Sequence, residues 1–424
     1  MTDRAENDYE SWQVPIYEHE ELAEFERLSV LACGIHRIRF NDGPSLDVLI
    51  EGLEKLDGWK RVPVFFNGAV GNRSDKQGPF FSGRGLASSA GYGFVAISDP
   101  STTLSKNLGL AWYAGNQFST LEEPVLRVLK TVQRLLGLQL LLIGGSGGGF
   151  AALKFASLVG ETATALAWNP QSDILKYNED AVKKYLVAAF PAESVSFVDE
   201  ENWSDGASDF LKRNNIRHEL LTLPARPGNT VLLQNASDWH VSAHLSPLAR
   251  AWEIREVLHG IHTDGKGTFV LISDFGDGHA SPPAGSLQAA IVSLAKLGSS
   301  ANETVLELKI RPELSKGEPR LLPTDLSARR KEILDATRLS VARDTSHEAI
   351  VAVEHDGFIH NYGGIRYSFF VTTADGSERT VAFMPASNRR LEINEGDVSV
   401  GVRLRDGFGT EICEIVHSLD PEQQ

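Results

Sequence analysis

Apolar runs of strand length alternate with segments of helical period over residues 29–300. The runs "RVPVFFNG", "GYGFVAISDP", "LQLLLIG", "NTVLLQN" and "GTFVLISDF" are apolar almost throughout, which is typical of strands buried on both faces. Between them, "TLEEPVLRVLKTVQRLLG" places apolar residues at helical spacing, with acidic residues at its start and Gly137 at its end. This alternation predicts an α/β domain: a mostly parallel sheet with helices on both faces.

The pattern changes near residue 300. The segments "ETVLELKIRP", "AIVAVEHDG", "YSFFVTTADGSERTVAFM" and "DVSVGVRLRDG" are strand-like, with few helical runs between them. The "ADG" between two alternating runs is a hairpin signal. We therefore predict three parts: an N-terminal segment at 1–28, the α/β domain at 29–300, and a β-rich, sandwich-like accessory domain at 303–424.

One hydroxyl lies among five glycines in "GGSGGG", between an apolar strand and an apolar helix. Gly144, Ser146 and Gly148 fit G-x-S-x-G, which in a strand-to-helix turn forms a nucleophile elbow with the serine exposed at a strained backbone angle. Glycine is needed there because side chains would collide with the neighbouring strand and helix. The start of the helix adds unpaired N–H groups beside the serine.

Other glycine-rich turns fit this segment less well. A phosphate-binding P-loop needs a Lys-Ser/Thr pair after its last glycine, and Lys154 lies too deep in the helix. A dinucleotide fingerprint can be fitted to Gly147, Gly149 and Ala152, but the next strand ends in Asn169-Pro170 instead of an acidic residue. A purely structural turn is the remaining alternative.

A serine nucleophile needs a base and a group that orients the base. Asp238 follows the strand "TVLLQN", and His279 lies in the loop after the next strand, in the order Ser, Asp, His. Parallel strands end at one edge of a sheet, so we expect Ser146, Asp238 and His279 to converge there. Three other carboxylates compete for the role of the acid: Asp99, Asp274 and Asp277.

With the elbow, the acid strand and the histidine loop, residues 62–294 resemble an α/β-hydrolase. The resemblance implies that Ser146 is the nucleophile, Asp238 the acid and His279 the general base. It also implies an oxyanion hole made by the N–H of Gly147 and one from the "FFNGAVG" loop, where Gly68 or Ala69 would donate. Many members of the family have His-Gly in that loop, and this chain has Asn67-Gly68.

A second resemblance rests on "FFNGAV", "SDPS", "LAWYAGN", "GGSGGGFAAL" and "WNPQSDI". These segments are similar to hydrolase-like proteins of bacterial surface-polysaccharide and accessory-secretion systems. The resemblance implies an acylated glycan as the substrate class.

Polar and aromatic residues near the predicted edge are candidates for substrate binding. They are Asn67, Trp168, Asn169, Gln171 and His240. Trp112 and Tyr113 fit a core position as well as a pocket. Asp238, His240 and His244 also suggest a metal cluster, although without a further carboxylate or cysteine ligand that spacing is weak. Residues 174–221 are predicted to form a helical cap over the site.

Composition narrows the choice of partners. The net charge of −15 and the pI of about 5.3 disfavour nucleic acid and anionic membranes as general partners. Two distant cysteines, Cys33 and Cys413, make neither a zinc framework nor a disulfide scaffold. The N-terminus lacks an apolar signal region, so we expect a cytoplasmic protein without a membrane span. No cofactor is expected, and homo-oligomerisation stays open.

These features favour a serine esterase that works through an acyl-enzyme on a carboxylic ester, with transfer to a sugar as an alternative to hydrolysis. The competing hypothesis is a non-catalytic scaffold or assembly protein that keeps the fold and binds through its β-rich domain. The presence of all three triad residue types in order favours the enzyme, because a scaffold needs none of them.

Overall fold

The fold is known from a computed structural model. It describes residues 5–40, 42–258, 260–311, 314, 334–335, 337–345, 347–355, 366–384, 386–405 and 411–419. Within these ranges a large mixed sheet with flanking helices is followed by two small antiparallel sheets.

The strands and helices have the following bounds. The strands are β1 Ile16–His19, β2 Gly34–Ile38, β3 Leu46–Glu51, β4 Arg61–Phe66, β5 Phe94–Ile97, β6 Gln139–Gly145, β7 Ala163–Trp168, β8 Thr230–Asn235, β9 Arg255–Leu258, β10 Ile261–Thr263, β11 Thr268–Ser273, β12 Thr337–Thr345, β13 Glu348–His355, β14 Arg366–Thr373, β15 Glu378–Thr380, β16 Asn388–Glu392, β17 Asp397–Arg405 and β18 Glu411–Ser418. The helices are α1 Leu22–Glu26, α2 Arg84–Ala90, α3 Glu122–Leu136, α4 Gly147–Val159, α5 Glu179–Ala189, α6 Pro191–Ser194, α7 Trp203–Arg213, α8 Ser246–Ala251, α9 Ala284–Ile291 and α10 Ala301–Lys309.

The large sheet has the strand order β1-β2-β3-β5-β4-β6-β7-β8-β11-β10-β9. Its centre, from β5 to β11, is parallel throughout, and antiparallel strands flank it on both sides. The central strands are almost entirely buried, which explains their continuous apolar sequences. The predicted fold class is confirmed: this is a mostly parallel α/β sheet with helices, followed by a β-rich C-terminal part.

Parallel topology places the ends of β4, β6, β7, β8 and β11 at one edge of the sheet. The candidate residues follow these ends directly: the Asn67 loop follows β4, Ser146 follows β6, and Trp168 ends β7. Asp238 follows β8 and His279 follows β11. The sheet therefore brings segments separated by up to about two hundred residues to one place.

Two small sheets form the C-terminal part. Their strand orders are β12-β13-β16 and β15-β14-β17-β18. Apolar side chains from both sheets make one buried cluster, with Val351 from the first sheet and Phe369 and Val402 from the second. The hairpin predicted at "ADG" joins β14 to β15.

Two local predictions were incomplete or wrong. The segment "ETVLELKIRP" was predicted as strand, but residues 301–309 form helix α10. The helix begins with a capping box, in which the Ser300 hydroxyl accepts from the Glu303 N–H and the Glu303 carboxylate accepts from the Ser300 N–H. The predicted N-terminal segment also contributes β1, which pairs with β2 at the edge of the large sheet.

Residues 174–221 contain the helices α5, α6 and α7, and that they form a cap over the site stays a prediction. Among the described helices, none combines the length and the apolar character that crossing a membrane would require.

We predict that Gly148→Ala destabilises the protein, whereas Gly85→Ala does not. Both glycines are the second residue of a helix, but a Cβ at Gly148 would lie 2.5 Å from the Phe66 carbonyl oxygen, and one at Gly85 meets nothing within 4 Å. Overpacking of this kind costs about 1–3 kcal/mol. Removing a helical glycine without a clash is neutral or stabilises by up to about 1 kcal/mol.

The thermal unfolding midpoints of the two variants and the wild type measure the difference. Equal midpoints for the two variants would contradict the tight packing of α4 against β4.

Candidate active site

Ser146 lies at a sharp turn between β6 and α4. Its φ of 54° and ψ of −120° are unusual for a residue with a side chain, so the turn is strained. A Cβ at Gly144 would lie 2.1 Å from the Gly148 carbonyl oxygen. The glycines of the motif therefore allow strand, turn and helix to approach within the distance that a nucleophile elbow needs.

Asp238 and His279 form a close pair. The Nδ1 atom of His279 lies 2.6 Å from the Oδ2 atom of Asp238. The second carboxylate oxygen accepts a hydrogen bond of 3.0 Å from the backbone N–H of His240. The side chain of Asp238 is fully buried, and that of His279 is 40% exposed. A buried carboxylate thus orients an accessible imidazole, as a general base requires.

The competing carboxylates have other roles. Asp99 accepts hydrogen bonds from the backbone N–H groups of Ser101 and Tyr113, and burial raises its pKa to about 6. Asp274 accepts a 2.8 Å hydrogen bond from the N–H of Gly276 within a local turn. Asp277 is exposed in the same loop. The pairing with His279 therefore favours Asp238 as the acid.

The loop that carries His279 is held by buried asparagines. The Asn235 amide donates to the carbonyls of Gly276 and Gly278, and its oxygen accepts from the N–H of Phe275. The Asn169 amide donates to the Ala280 carbonyl at 2.8 Å. Asn235 was not among the residues predicted from the sequence. Its only signal there is a polar residue at the end of an otherwise apolar strand, one turn before Asp238.

Residues 168–171 connect Ser146 to the Asp238–His279 pair. The Ser146 N–H donates to the Trp168 carbonyl at 2.9 Å, and the Gln171 N–H donates to the Ser146 carbonyl at 3.3 Å. The Asn169 carbonyl lies 2.9 Å from Nδ1 of His240, whose ring centroid lies 4.4 Å from that of His279. One short segment is therefore in contact with both the elbow and the histidine loop.

The predicted oxyanion loop lies directly against the elbow. A Cβ at Gly68 would be 2.9 Å from the Gly145 carbonyl oxygen. The N–H of Asn67 is already bound to the Tyr113 hydroxyl at 2.7 Å. This leaves Gly68 and Ala69 as the candidate donors of the loop. Gly147 is the first residue of α4, where backbone N–H groups have no partner within the helix.

The predicted substrate-binding residues differ in accessibility. Both polar groups of the Asn67 side chain already have protein partners. Its NH₂ group donates to the Gly68 carbonyl, and its side-chain oxygen accepts from the Ser82 hydroxyl. Trp168 is half-buried and packs against Gly145. A Cβ on Gly145 would lie 2.1 Å from the indole nitrogen of Trp168. Asn169 and Gln171 are fully buried. Their surroundings thus favour holding the site together over touching a substrate.

Trp112 and Tyr113 are also fully buried, so their core role is the one that the structure supports. An exposed aromatic residue near the Asp238–His279 pair is Trp239, which was not among the residues predicted from the sequence. It is 40% exposed, and its ring lies 5.7 Å from Tyr177 in a stacked arrangement. Its signal in the sequence is its place directly after the predicted acid.

His240 and His244 are buried and uncharged near neutral pH. Burial lowers the pKa of His240 to about 4, although the neighbouring Asp238 carboxylate acts in the opposite direction. Burial also lowers the pKa of His244 to about 2. In both rings the Nε2 atom is buried and has no hydrogen-bond partner within the described chain. Neither histidine is charged in the range where a general base works.

A metal cluster would have a different composition from the one the sequence suggested. In the part of the chain that the structure describes, the group that could hold an ion is Asp238, His240 and His279, with ligand atoms within 4.8 Å of one another. His244 is not part of it. Nδ1 of His279 is bound to Asp238, and Nδ1 of His240 faces the Asn169 carbonyl, so both atoms already have partners.

The sequence matches no protein-family profile and no curated protein. Among solved structures it is similar to the capsule O-acetyltransferase of Neisseria meningitidis serogroup A, with 15% identity over 61% of this chain and 92% of that one, at a TM-score of 0.38. It is also similar to acetyl xylan esterase 1 from Thermoanaerobacterium, with 14% identity over 72% and 99% of the two chains and a TM-score of 0.36. A third is the S-formylglutathione hydrolase from Agrobacterium tumefaciens, with 14% identity, 65% and 91% coverage, and a TM-score of 0.35.

We predict that His240 and His244 each make the protein less stable as the pH falls from about 6.5 towards 4. In the unfolded chain a histidine binds a proton near pH 6.5. In the folded chain His240 does so only near pH 4 and His244 near pH 2. At these two positions the unfolded state therefore holds more protons in this range, and their contribution to the free energy of unfolding falls as the pH falls. Above pH 6.5 this contribution is constant.

Thermal midpoints measured from pH 4 to 8 test this expectation. His240→Gln and His244→Gln should each flatten the slope between pH 4 and 6.5, whereas His347→Gln, at an exposed position, serves as the control. An unchanged slope in both buried variants would contradict it.

Proposed function

We propose that this chain is a serine hydrolase that forms an acyl-enzyme with a carboxylic ester. The observation that carries the proposal is the contact between His279 and the buried Asp238, at 2.6 Å, at the same edge of the sheet as the strained turn at Ser146. A buried carboxylate bound to an accessible imidazole is a costly arrangement, and it matches what a general base needs.

In the proposed reaction Ser146 Oγ attacks the ester carbonyl carbon while His279 accepts the serine proton. The N–H of Gly147 and one from Gly68 or Ala69 stabilise the oxyanion. When the carbon–oxygen bond to the alcohol breaks, His279 gives its proton to the leaving alkoxide. Water then attacks the acyl-enzyme, gives a proton to His279, and releases the acid. The proton returns to Ser146, so the cycle balances.

Ser146→Ala should abolish labelling by a fluorophosphonate probe and lower the hydrolysis of p-nitrophenyl acetate by several orders of magnitude. His279→Ala and Asp238→Asn should lower the rate by at least about 10³-fold, because the base is lost or is held in the wrong tautomer. Asp274→Asn and Asp277→Asn are the matched controls and should have small effects. The assay is run with and without a chelator.

A wild-type chain that does not label would favour the scaffold hypothesis. Activity that a chelator removes and that survives the loss of His279 would favour a metal site.

A sugar substrate, either as the acylated glycan or as the acceptor of an acyl group, is favoured by Trp239. Its exposed ring lies next to the ring of His240, with centroids 4.4 Å apart, and is supported from below by Tyr177. The His240 ring in turn lies 4.4 Å from that of His279, and an exposed aromatic ring this close to the proposed base is suited to stacking on a substrate ring. When a sugar hydroxyl replaces water in the second step, the reaction becomes acyl transfer.

Trp239→Ala should therefore raise KM for acetylated sugars by up to about tenfold, and leave kcat/KM for p-nitrophenyl acetate unchanged, since one aromatic contact contributes roughly 0.5–1.5 kcal/mol. Phe118→Ala, which removes an aromatic ring of similar exposure, is the control. Equal losses on both substrates would contradict a sugar-binding role. Adding a sugar acceptor and measuring the ratio of transfer to hydrolysis distinguishes the two reactions.

A further inference from the structure

The side chain of Gln171 reaches the proposed nucleophile. Its Nε2 atom donates to Ser146 Oγ at 3.0 Å, and the residue is fully buried. The segment after β7 places it there, because its backbone N–H also donates to the Ser146 carbonyl. A residue that the sequence predicted to touch the substrate thus touches the serine itself.

Trp112 determines which end of the amide faces the serine. Its indole N–H donates to Gln171 Oε1. An indole nitrogen is a donor only, so the amide oxygen must face Trp112 and the NH₂ group must face Ser146. This orientation follows from the chemistry of the partners and not from the placement of two similar atoms.

Trp112 is itself held in an unusual conformation. It and Tyr113 have φ values of 56° and 51°, in the left-handed region, and both are fully buried. The Tyr113 carbonyl accepts a 2.7 Å hydrogen bond from the buried Lys154 ammonium, and its N–H donates to Asp99 at 2.6 Å. Strain maintained by buried polar groups is typical of functional sites.

A donor at Ser146 Oγ has two chemical consequences. Since Oγ accepts from Gln171, the serine keeps its own proton for donation to another group, and His279 is the proposed acceptor. Hydrogen bonds to the charged form favour that form, so the amide also stabilises the negative charge that develops on Oγ. This charge appears when the serine attacks and again when it leaves the acyl-enzyme.

We propose that Gln171 is a catalytic residue that activates Ser146 by donating to its hydroxyl oxygen, and that Trp112 is the positioning residue that orients it. This inference rests on the proposed function, because it assumes that Ser146 is the nucleophile. It adds a side-chain donor on the nucleophile to the backbone donors on the oxyanion.

The test compares variants at Gln171 in the full-length chain. Gln171→Met keeps a similar length and removes the donor, so the second-order rate of fluorophosphonate labelling should fall about 10- to 100-fold, approaching the loss of one oxyanion donor. In Gln171→Glu the ionised carboxylate can only accept and competes for the serine proton. Its labelling rate should be lower than that of Gln171→Met at pH 8 and should recover as the carboxyl group is protonated at lower pH.

A double-mutant cycle tests the role of Trp112. Trp112→Phe should lower the labelling rate several-fold in the wild type and have little further effect in Gln171→Met, because Trp112 acts through the amide. A structural role alone would give the same loss in both backgrounds, accompanied by a lower thermal midpoint. That result would overturn the positioning role.

Wild-type labelling rates in a folded Gln171→Met, or in Gln171→Glu if the methionine variant does not fold, would overturn the catalytic role. A rate for Gln171→Glu that does not depend on the ionisation of its carboxyl group would do the same. Failure of the proposed function looks different, because the wild-type chain then does not label at Ser146 at all.

Discussion

The close approach of three backbone segments around Ser146 is the constraint on which the site depends. The end of β6, the first turn of α4 and the loop after β4 meet at distances where only glycine hydrogens fit. At Gly148 a Cβ would lie 2.5 Å from Phe66 O, and at Gly68 one would lie 2.9 Å from Gly145 O. The same approach leaves Ser146 partly accessible and brings the candidate oxyanion donors next to it. The packing of these segments and the accessibility of Ser146 thus both require glycine at these positions.

Buried polar side chains fix the positions of the other site residues relative to that turn. Asn169 bonds to the backbone at the end of β8 and to Ala280, and Asn235 bonds to the loop around Gly276. Each amide uses both its oxygen and its nitrogen, so its burial is compensated. The His279 loop contains small, turn-forming residues and would have little reason to adopt one conformation without these contacts.

Much of the fold and the placement of Ser146, Asp238 and His279 at one edge of the sheet could be predicted from the sequence because their signals are local. Ser146 lies in a motif, and Asp238 and His279 each follow an apolar strand whose end has a fixed place in a parallel sheet. Asn235 and Trp239 lie beside these residues but carry no motif, and their roles depend on contacts with distant segments. Gln171 was predicted as a substrate-binding residue, but its contact with Ser146 depends on Trp112, which is 59 positions away in the sequence. The segment of helix α10 was predicted as a strand because Leu306, Leu308 and Ile310 alternate with charged residues. The capping box at Ser300 and Glu303 favours the helix.

The long stretch of chain between Ser146 and His279 determines when the two residues can first meet during synthesis. The elbow at Ser146 is complete once β6 and α4 have been made, but the base lies beyond β11, more than a hundred residues later. Chains are synthesised from the N-terminus, at about 5–20 residues per second. For several seconds the nascent chain therefore contains its serine without the imidazole that would activate it. Under the proposed function, acylation of Ser146 therefore has to wait until the central sheet is complete.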